Sequence, residues 1–176
     1  MKNLEIKAYC EDESVFDKFK SEGILDQTDT YYKCDNKKLK LREENLKSYK
    51  FIHYQREDEA KERVSNFALY PIDDIALFEK VFGGSLTVEV TVSKHRILYL
   101  YKHARIHYDQ VLELPGQKFV EIEVLIRNEE EEKSAPGLMK ELQAMLKIDL
   151  DDQTGMGYRE MVLGKVHIAV ESFQKY

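Results

Sequence analysis

Apolar and polar residues alternate with a period of two over most of the chain as far as Arg127, and the alternation breaks at residues that favour turns. The pattern predicts strands over Lys2–Cys10, Thr28–Lys33, Lys38–Arg42, Lys47–Arg56, Arg63–Tyr70, Leu86–Tyr101, Ala104–Leu112 and Phe119–Arg127. Cys34-Asp35-Asn36-Lys37, Glu43-Glu44-Asn45 and Lys102-His103 read as hairpin turns, and Pro115-Gly116 as a wider connection. Links this short make the sheet antiparallel. Helical spacing replaces the alternation over Ser14–Gly23, Asp73–Phe82 and Ser134–Lys147, each with an apolar stripe expected to face the core. The acidic run Glu129–Glu132 is expected to be a solvated loop ahead of the third helix. The tail Gly164–Tyr176 fits either a strand or a short helix.

The polar positions of several strands carry charge rather than neutral side chains. Glu5-Ile6-Lys7, Lys40-Leu41-Arg42, Lys94-His95-Arg96, Arg105-Ile106-His107-Tyr108-Asp109 and Glu121-Ile122-Glu123 each place charged groups two residues apart. Residues two apart in a strand share a face. A face that mixes this much Lys and Arg with this much Asp and Glu suits a multiply charged anion held with a metal ion. Glu121 and Glu123 can reach one ion together, with Glu5 completing the set, and oxygen ligands point to Mg²⁺ or Mn²⁺. Asp109 is either a further ligand or the orienter of a basic neighbour. His107 is either a proton carrier or a hydrogen-bonded wall residue. Arg63 and Ser65 are additional candidates for phosphate contact.

Composition narrows the picture. With 176 residues and no linker or repeat, the chain reads as a single domain with its own core. A formal charge of −6 disfavours a general nucleic-acid binder, though a local basic pocket remains compatible with it. No apolar run approaches the ~20 residues that span a bilayer, and the amino terminus leads into strand pattern without a signal-peptide segment. Cys10 and Cys34 lack zinc-site spacing and read as reduced thiols of a cytoplasmic protein. The pattern does not distinguish a monomer from a homodimer. It also leaves two architectures open, a half-solvated sheet with a charged outer face or a closed sheet with the charges inside.

The order of these segments favours the second. Asn3-Leu4-Glu5-Ile6-Lys7-Ala8, Asp29-Thr30-Tyr31-Tyr32, Lys38-Leu39-Lys40-Leu41-Arg42-Glu43 and Tyr54-Gln55-Arg56 come first. Lys94 to Tyr101, Arg105 to Val111, Phe119 to Val124 and Gly157-Tyr158-Arg159-Glu160-Met161-Val162-Leu163 follow. The series, from Asn3 to about Leu163, resembles the CYTH superfamily, the triphosphate tunnel metalloenzymes, and within it the class IV adenylyl cyclase and thiamine-triphosphatase branch. The resemblance implies a mainly β fold with flanking helices, an eight-stranded closed antiparallel barrel, with a divalent cation and a small-molecule triphosphate inside.

It further implies metal ligation by Glu5, Glu121 and Glu123, with Asp109 as the added candidate. Substrate binding falls to Lys7, Lys40, Arg42, Arg56, Arg63, Lys94, Arg96 and Arg105, of which Lys7, Arg56 and Arg105 are expected to act at the reacting phosphate. Lys40/Arg42 and Lys94/Arg96 are expected on opposite walls of the cradle. The family opens with Glu-x-Glu-x-Lys, and this chain has Asn3 at the first acidic position. The expected activity is hydrolysis of tripolyphosphate, thiamine triphosphate or a nucleoside triphosphate. A cyclase making cyclic AMP, and a binding module without turnover, are the alternatives.

Overall fold

A computed structural model of the protein describes residues 2–35, 38–55 and 62–173. Eight strands are formed: β1 (Lys2–Tyr9), β2 (Ser21–Tyr32), β3 (Lys38–Glu44), β4 (Ser48–Gln55), β5 (Arg63–Ile72), β6 (Val88–Tyr101), β7 (Ala104–Val111) and β8 (Lys118–Ile126). They close into an antiparallel barrel in the order β1-β5-β4-β3-β2-β6-β7-β8. Closure explains how both strand faces can be occupied, since it removes the edges and gives the polar face an interior to line.

Helix α1 (Ile75–Phe82) follows β5, and α2 (Glu129–Leu146) and α3 (Tyr158–Phe173) follow β8. The alternation in β1 and β8 sends Leu4, Ile6, Ala8, Val120, Ile122 and Val124 outward under α2. There they meet Leu138, Met139, Leu142 and Leu146 in one apolar cluster. Asn3, Glu5, Lys7, Glu121 and Glu123 point the other way and line the barrel cavity.

Several expectations need correction. The helix over Ser14–Gly23 is only a 3₁₀ turn, Glu13–Phe16, capped by Asp12, whose side chain accepts from Ser14 N–H. Phe16 and Phe19 are drawn onto Tyr99, Tyr101 and Tyr108, and Ser21–Gly23 joins β2 with Gly23 (φ +141°) at a register shift. Helix α2 starts at Glu129, so the acidic run is its first turn rather than a loop. Asn128 caps it, and the carboxylates suit the positive end of the helix dipole. The stripe of α1 is not core: Leu77 and Val81 are exposed, and the helix rests on β4 through Phe78 and Phe82 against Phe51. The tail is helical through Phe173.

Helix α3 reaches the barrel because β1 is longer than its pairing with β5. Among the described residues, Lys2–Glu5 is the part of β1 that pairs with β5. Past that point Thr154 N–H donates to the Lys7 carbonyl, and Tyr9 N–H to the Asp152 carbonyl. The segment before α3 is thereby fastened to the barrel rim. Tyr158, Met161 and Val162 are buried with Tyr31, Ile52, Tyr54, Val92, Val111, Leu114 and Phe119, an apolar cluster that closes this end.

Candidate active site inside the barrel

The cavity wall carries six cationic side chains, Lys7, Lys40, Arg42, Lys94, Arg96 and Arg105, against three carboxylates, Glu5, Glu121 and Glu123. The chain as a whole is acidic, yet the cavity is net basic. Charges are sorted by strand. The carboxylates sit on the neighbours β1 and β8, whereas Lys40/Arg42 on β3 and Lys94/Arg96 on β6 flank β2. In the barrel order β2 and β3 lie across from β1 and β8. The two basic pairs therefore share one wall rather than facing each other, which corrects that expectation: β2 inserts between β3 and β6, so both are its neighbours.

A missed residue holds that basic wall together. Asp29 of β2 is fully buried and accepts from Arg42 through both oxygens (2.6 and 2.7 Å), from Lys40 at 2.8 Å and from Lys94 at 3.3 Å. Burial alone would raise its carboxyl. Arg42, Lys40 and Lys94 overcome that and hold it well below the usual carboxylate range. Three basic side chains converge on one carboxylate, so the wall keeps positive charge to offer, although burial and Arg42 hold Lys40 well below its ordinary value. Burial, with Arg96 beside it, lowers Lys94 to about 8.

Arg96 is fixed by Asp109 through two bonds of 2.6 Å and by Glu121 through a third of 2.6 Å. Asp109 also accepts from the Tyr158 hydroxyl at 2.7 Å. Its contacts orient a basic neighbour, Arg96. Tyr158 supports two elements at once, because Lys7 Nζ also lies 3.4 Å from its ring centroid. Burial and the Asp109 charge raise the phenol well above its ordinary value, so it stays a donor. Helix α3 is anchored in turn by Arg159 to Glu89 on β6 and by Glu160 to Lys38 on β3. Only an inward parity for Asp29 and Tyr31 in a predicted strand, and a Tyr at a helix start, signalled these two residues in the sequence.

On the acidic wall Glu5 and Glu123 are register partners, as are Lys7 and Glu121. Glu5 accepts from Arg63 Nε at 2.7 Å, and Lys7 lies 3.5 Å from Glu121. Arg63 is thus spent on Glu5 and on the Gly155 carbonyl, at the wall behind the cavity. Burial, then Glu121 and Glu5, push Glu123 up to about 7. Glu121 is buried too, but Lys7 and Arg96 hold it well below the usual range. Asn3 and Ser65 pair across β1–β5 and both line the cavity, and the Asn3 Oδ1 is buried without a hydrogen-bond partner. Arg105 lines the cavity from an exposed position. Arg56 lies outside the described residues.

A divalent cation fits this wall. Two carboxylates placed opposite each other, Glu5 held by Arg63 and Glu123 pushed to about 7 by its neighbours, and an unpartnered buried amide oxygen two residues from Glu5 form an oxygen-rich set. The remaining wall, β4 and β5, is apolar: Ile52 pairs with Leu69 and Tyr54 with Phe67, all four on the cavity, and Ile52 is also the partner of Lys40.

The family model of the CYTH domain matches residues 1–154. The chain belongs to the CYTH domain family. Members are in general metal-dependent enzymes, triphosphatases or cyclases. Among solved structures the chain is similar to a conserved hypothetical protein from Pyrococcus furiosus, at 25% identity and a TM-score of 0.75 over 90% of this chain and 98% of that one. A protein from Pyrococcus horikoshii matches at 20% identity and a TM-score of 0.72, again over 90% and 98%. A Vibrio parahaemolyticus protein, provisionally described as an adenylate cyclase, matches at 17% identity and a TM-score of 0.73 over 92% and 97%. The last two likenesses concern the fold alone. No curated protein matches the chain. No helix among the described residues is long and apolar enough to cross a membrane.

Proposed function

We propose that this CYTH protein is a metal-dependent phosphohydrolase acting on a small triphosphate held inside the barrel. The observation that carries the reading is the sorting of charge, with Glu5, Glu121 and Glu123 across the barrel from the cationic wall organised on Asp29. A triphosphate of about four negative charges cannot enter such an interior unpaired. Each cation about 4 Å away contributes up to ~4 kcal/mol at an effective dielectric near 20.

Lys40, Arg42, Lys94 and Arg96 bind and orient the phosphate chain, Arg giving forked contacts and Lys point charges. Lys7, seated on the Tyr158 ring beside Glu121, lies between the two walls and neutralises charge at the transferring phosphoryl group. Arg105, and Arg56 in the family's pattern, act on the same group. A divalent ion on the acidic wall supplies further charge neutralisation and a more acidic water. Burial of Lys7, Lys40, Lys94 and Arg96 strengthens their contacts.

The apolar wall favours a second reading of the same site. Ile52, Tyr54, Phe67 and Leu69 adjoin the cradle and suit a substrate whose triphosphate carries an organic group, which a cyclase acting on ATP also requires. Incubation with Mg²⁺ or Mn²⁺ and tripolyphosphate, thiamine triphosphate or ATP tests both. Orthophosphate release supports the hydrolase, and cyclic AMP with diphosphate selects the cyclase. Binding of all three without any product leaves a binding module and overturns the enzymatic proposal.

A further inference from the structure

The barrel brings a nitrogen donor to the acidic wall. His107 of β7 is the register partner of Glu121 and is 5% exposed. Its Nδ1 is a buried atom without a hydrogen-bond partner. That nitrogen stands 4.0 Å from a Glu121 oxygen and 3.9 Å from a Glu123 oxygen, too far for hydrogen bonds. The donor atoms of His107, Glu121 and Glu123 all lie within 4.8 Å of one another, the one such group among the described residues.

These separations suit ligands of one ion. Donors about 2.1 Å from a shared centre sit about 3.0 Å apart at a right angle and about 4.2 Å apart across it. The observed values fall inside or just beyond that range, so small side-chain rotations bring the three onto a common centre. Glu121 is already oriented by its bond from Arg96 and by Lys7, the kind of outer support that ligating carboxylates receive. A buried polar atom facing two carboxylates with no partner is otherwise a cost without return.

We propose that His107 Nδ1 is a metal ligand alongside Glu123 and Glu121, and that the site therefore binds first-row transition ions, Mn²⁺ among them, in preference to Mg²⁺. The inference rests on the acidic wall being the metal-binding wall of the proposed function. Mg²⁺ keeps to oxygen donors and retains its waters, whereas an imidazole ligand adds affinity for transition ions. Asn3, a neutral amide on the same cavity wall, fits the same picture. Its amide adds no hard charge to the oxygen side of the site.

Pulsed electron paramagnetic resonance of the full chain loaded with Mn²⁺ tests this without reference to turnover. The expected result is a ¹⁴N coupling to the bound ion, converted to ¹⁵N in protein grown with ¹⁵N-histidine, a control that needs no variant. His107→Leu is expected to abolish the coupling and weaken Mn²⁺ at least about tenfold, while Mg²⁺ affinity measured by competition changes by less than about threefold. Tight Mn²⁺ binding with no nitrogen coupling, or a coupling that survives His107→Leu, overturns the role of His107 and leaves the metal-dependent reading standing. Failure of the wild-type chain to bind either ion at millimolar concentration overturns both.

Discussion

Glu5 and Glu123 face each other directly across the β1–β8 ladder, two carboxylates at a register position where like charges repel. Arg63 answers Glu5 from one side, and Glu123 is left at about 7 by burial, Glu121 and Glu5. A cation held between these two carboxylates relieves the repulsion. Glu123→Gln removes one charge at nearly constant shape, so it is expected to raise the melting temperature of the metal-free protein near neutral pH. The same change lowers triphosphate turnover at least about tenfold, which is ~1.4 kcal/mol of barrier. Calorimetry on the apoprotein and a phosphate-release assay check the two halves, and unchanged turnover removes Glu123 from the mechanism.

The same group sets a pH dependence. Its folded value of about 7 lies above the unfolded value of 4.5, so its contribution to stability is fully present below about 4.5 and lost as pH rises through about 7. A metal ion competes with that proton. The metal-induced rise in melting temperature is therefore small near pH 5.5 and grows through pH 7. At the other limb Lys94, at about 8, loses its charge and its hold on phosphate. The expected kcat/KM profile is a narrow bell between these limits, with the acid limb abolished in Glu123→Gln.

Asp29 is the counterion for three cations that a triphosphate must also engage. Asp29→Asn leaves Lys40, Arg42 and Lys94 facing one another and is expected to destabilise the protein by about 3–5 kcal/mol. Added tripolyphosphate replaces the missing anion, so its stabilising effect in thermal melts is expected to be larger for the variant than for the wild type. An equal or smaller effect shows that the anion does not bind at this wall.

Tyr158 ties α3 to the chemistry through two separable contacts. Tyr158→Phe keeps the ring under Lys7 but removes the donor to Asp109, a charged acceptor worth about 1.5–3 kcal/mol. For a domain of this size each kcal/mol lowers the melting temperature by about 2–4 °C. With Arg96 less firmly held, KM is expected to rise about threefold to tenfold with kcat changed less. Tyr158→Leu removes both contacts and lowers kcat as well. Equal kinetic constants in Tyr158→Phe and Tyr158→Leu refute a separate role for the ring.

Asn3→Glu tests the departure at the first strand. The Asn3 side chain is 3% exposed with its Oδ1 unpartnered on the cavity, two residues from Glu5. A carboxylate there is expected to tighten Mg²⁺ binding about tenfold in titration calorimetry, because hard oxygen charge favours that ion most. No change in affinity places Asn3 outside the metal's reach.

The alternation of side chains by itself determined which residues of β1, β3, β6 and β8 share a face, because parity in a strand is a local property. It therefore grouped Glu5 with Lys7, Lys40 with Arg42, Lys94 with Arg96 and Glu121 with Glu123 before any coordinates. Strand order is not local. That β2 lies between β3 and β6 put both basic pairs on one wall and made Asp29 the shared counterion of Lys40, Arg42 and Lys94, and no spacing along the chain encodes that neighbourhood. Closure of the sheet, which turned a charged face into a cavity, arises from pairing between β1 and β8, more than a hundred residues apart in sequence. The position of Tyr158 depends on residues 152–154 bonding to β1 at Lys7 and Tyr9, and the meeting of His107 with Glu123 depends on the β7–β8 register. Periodicity reports the face a residue occupies, while only the tertiary structure decides which faces meet.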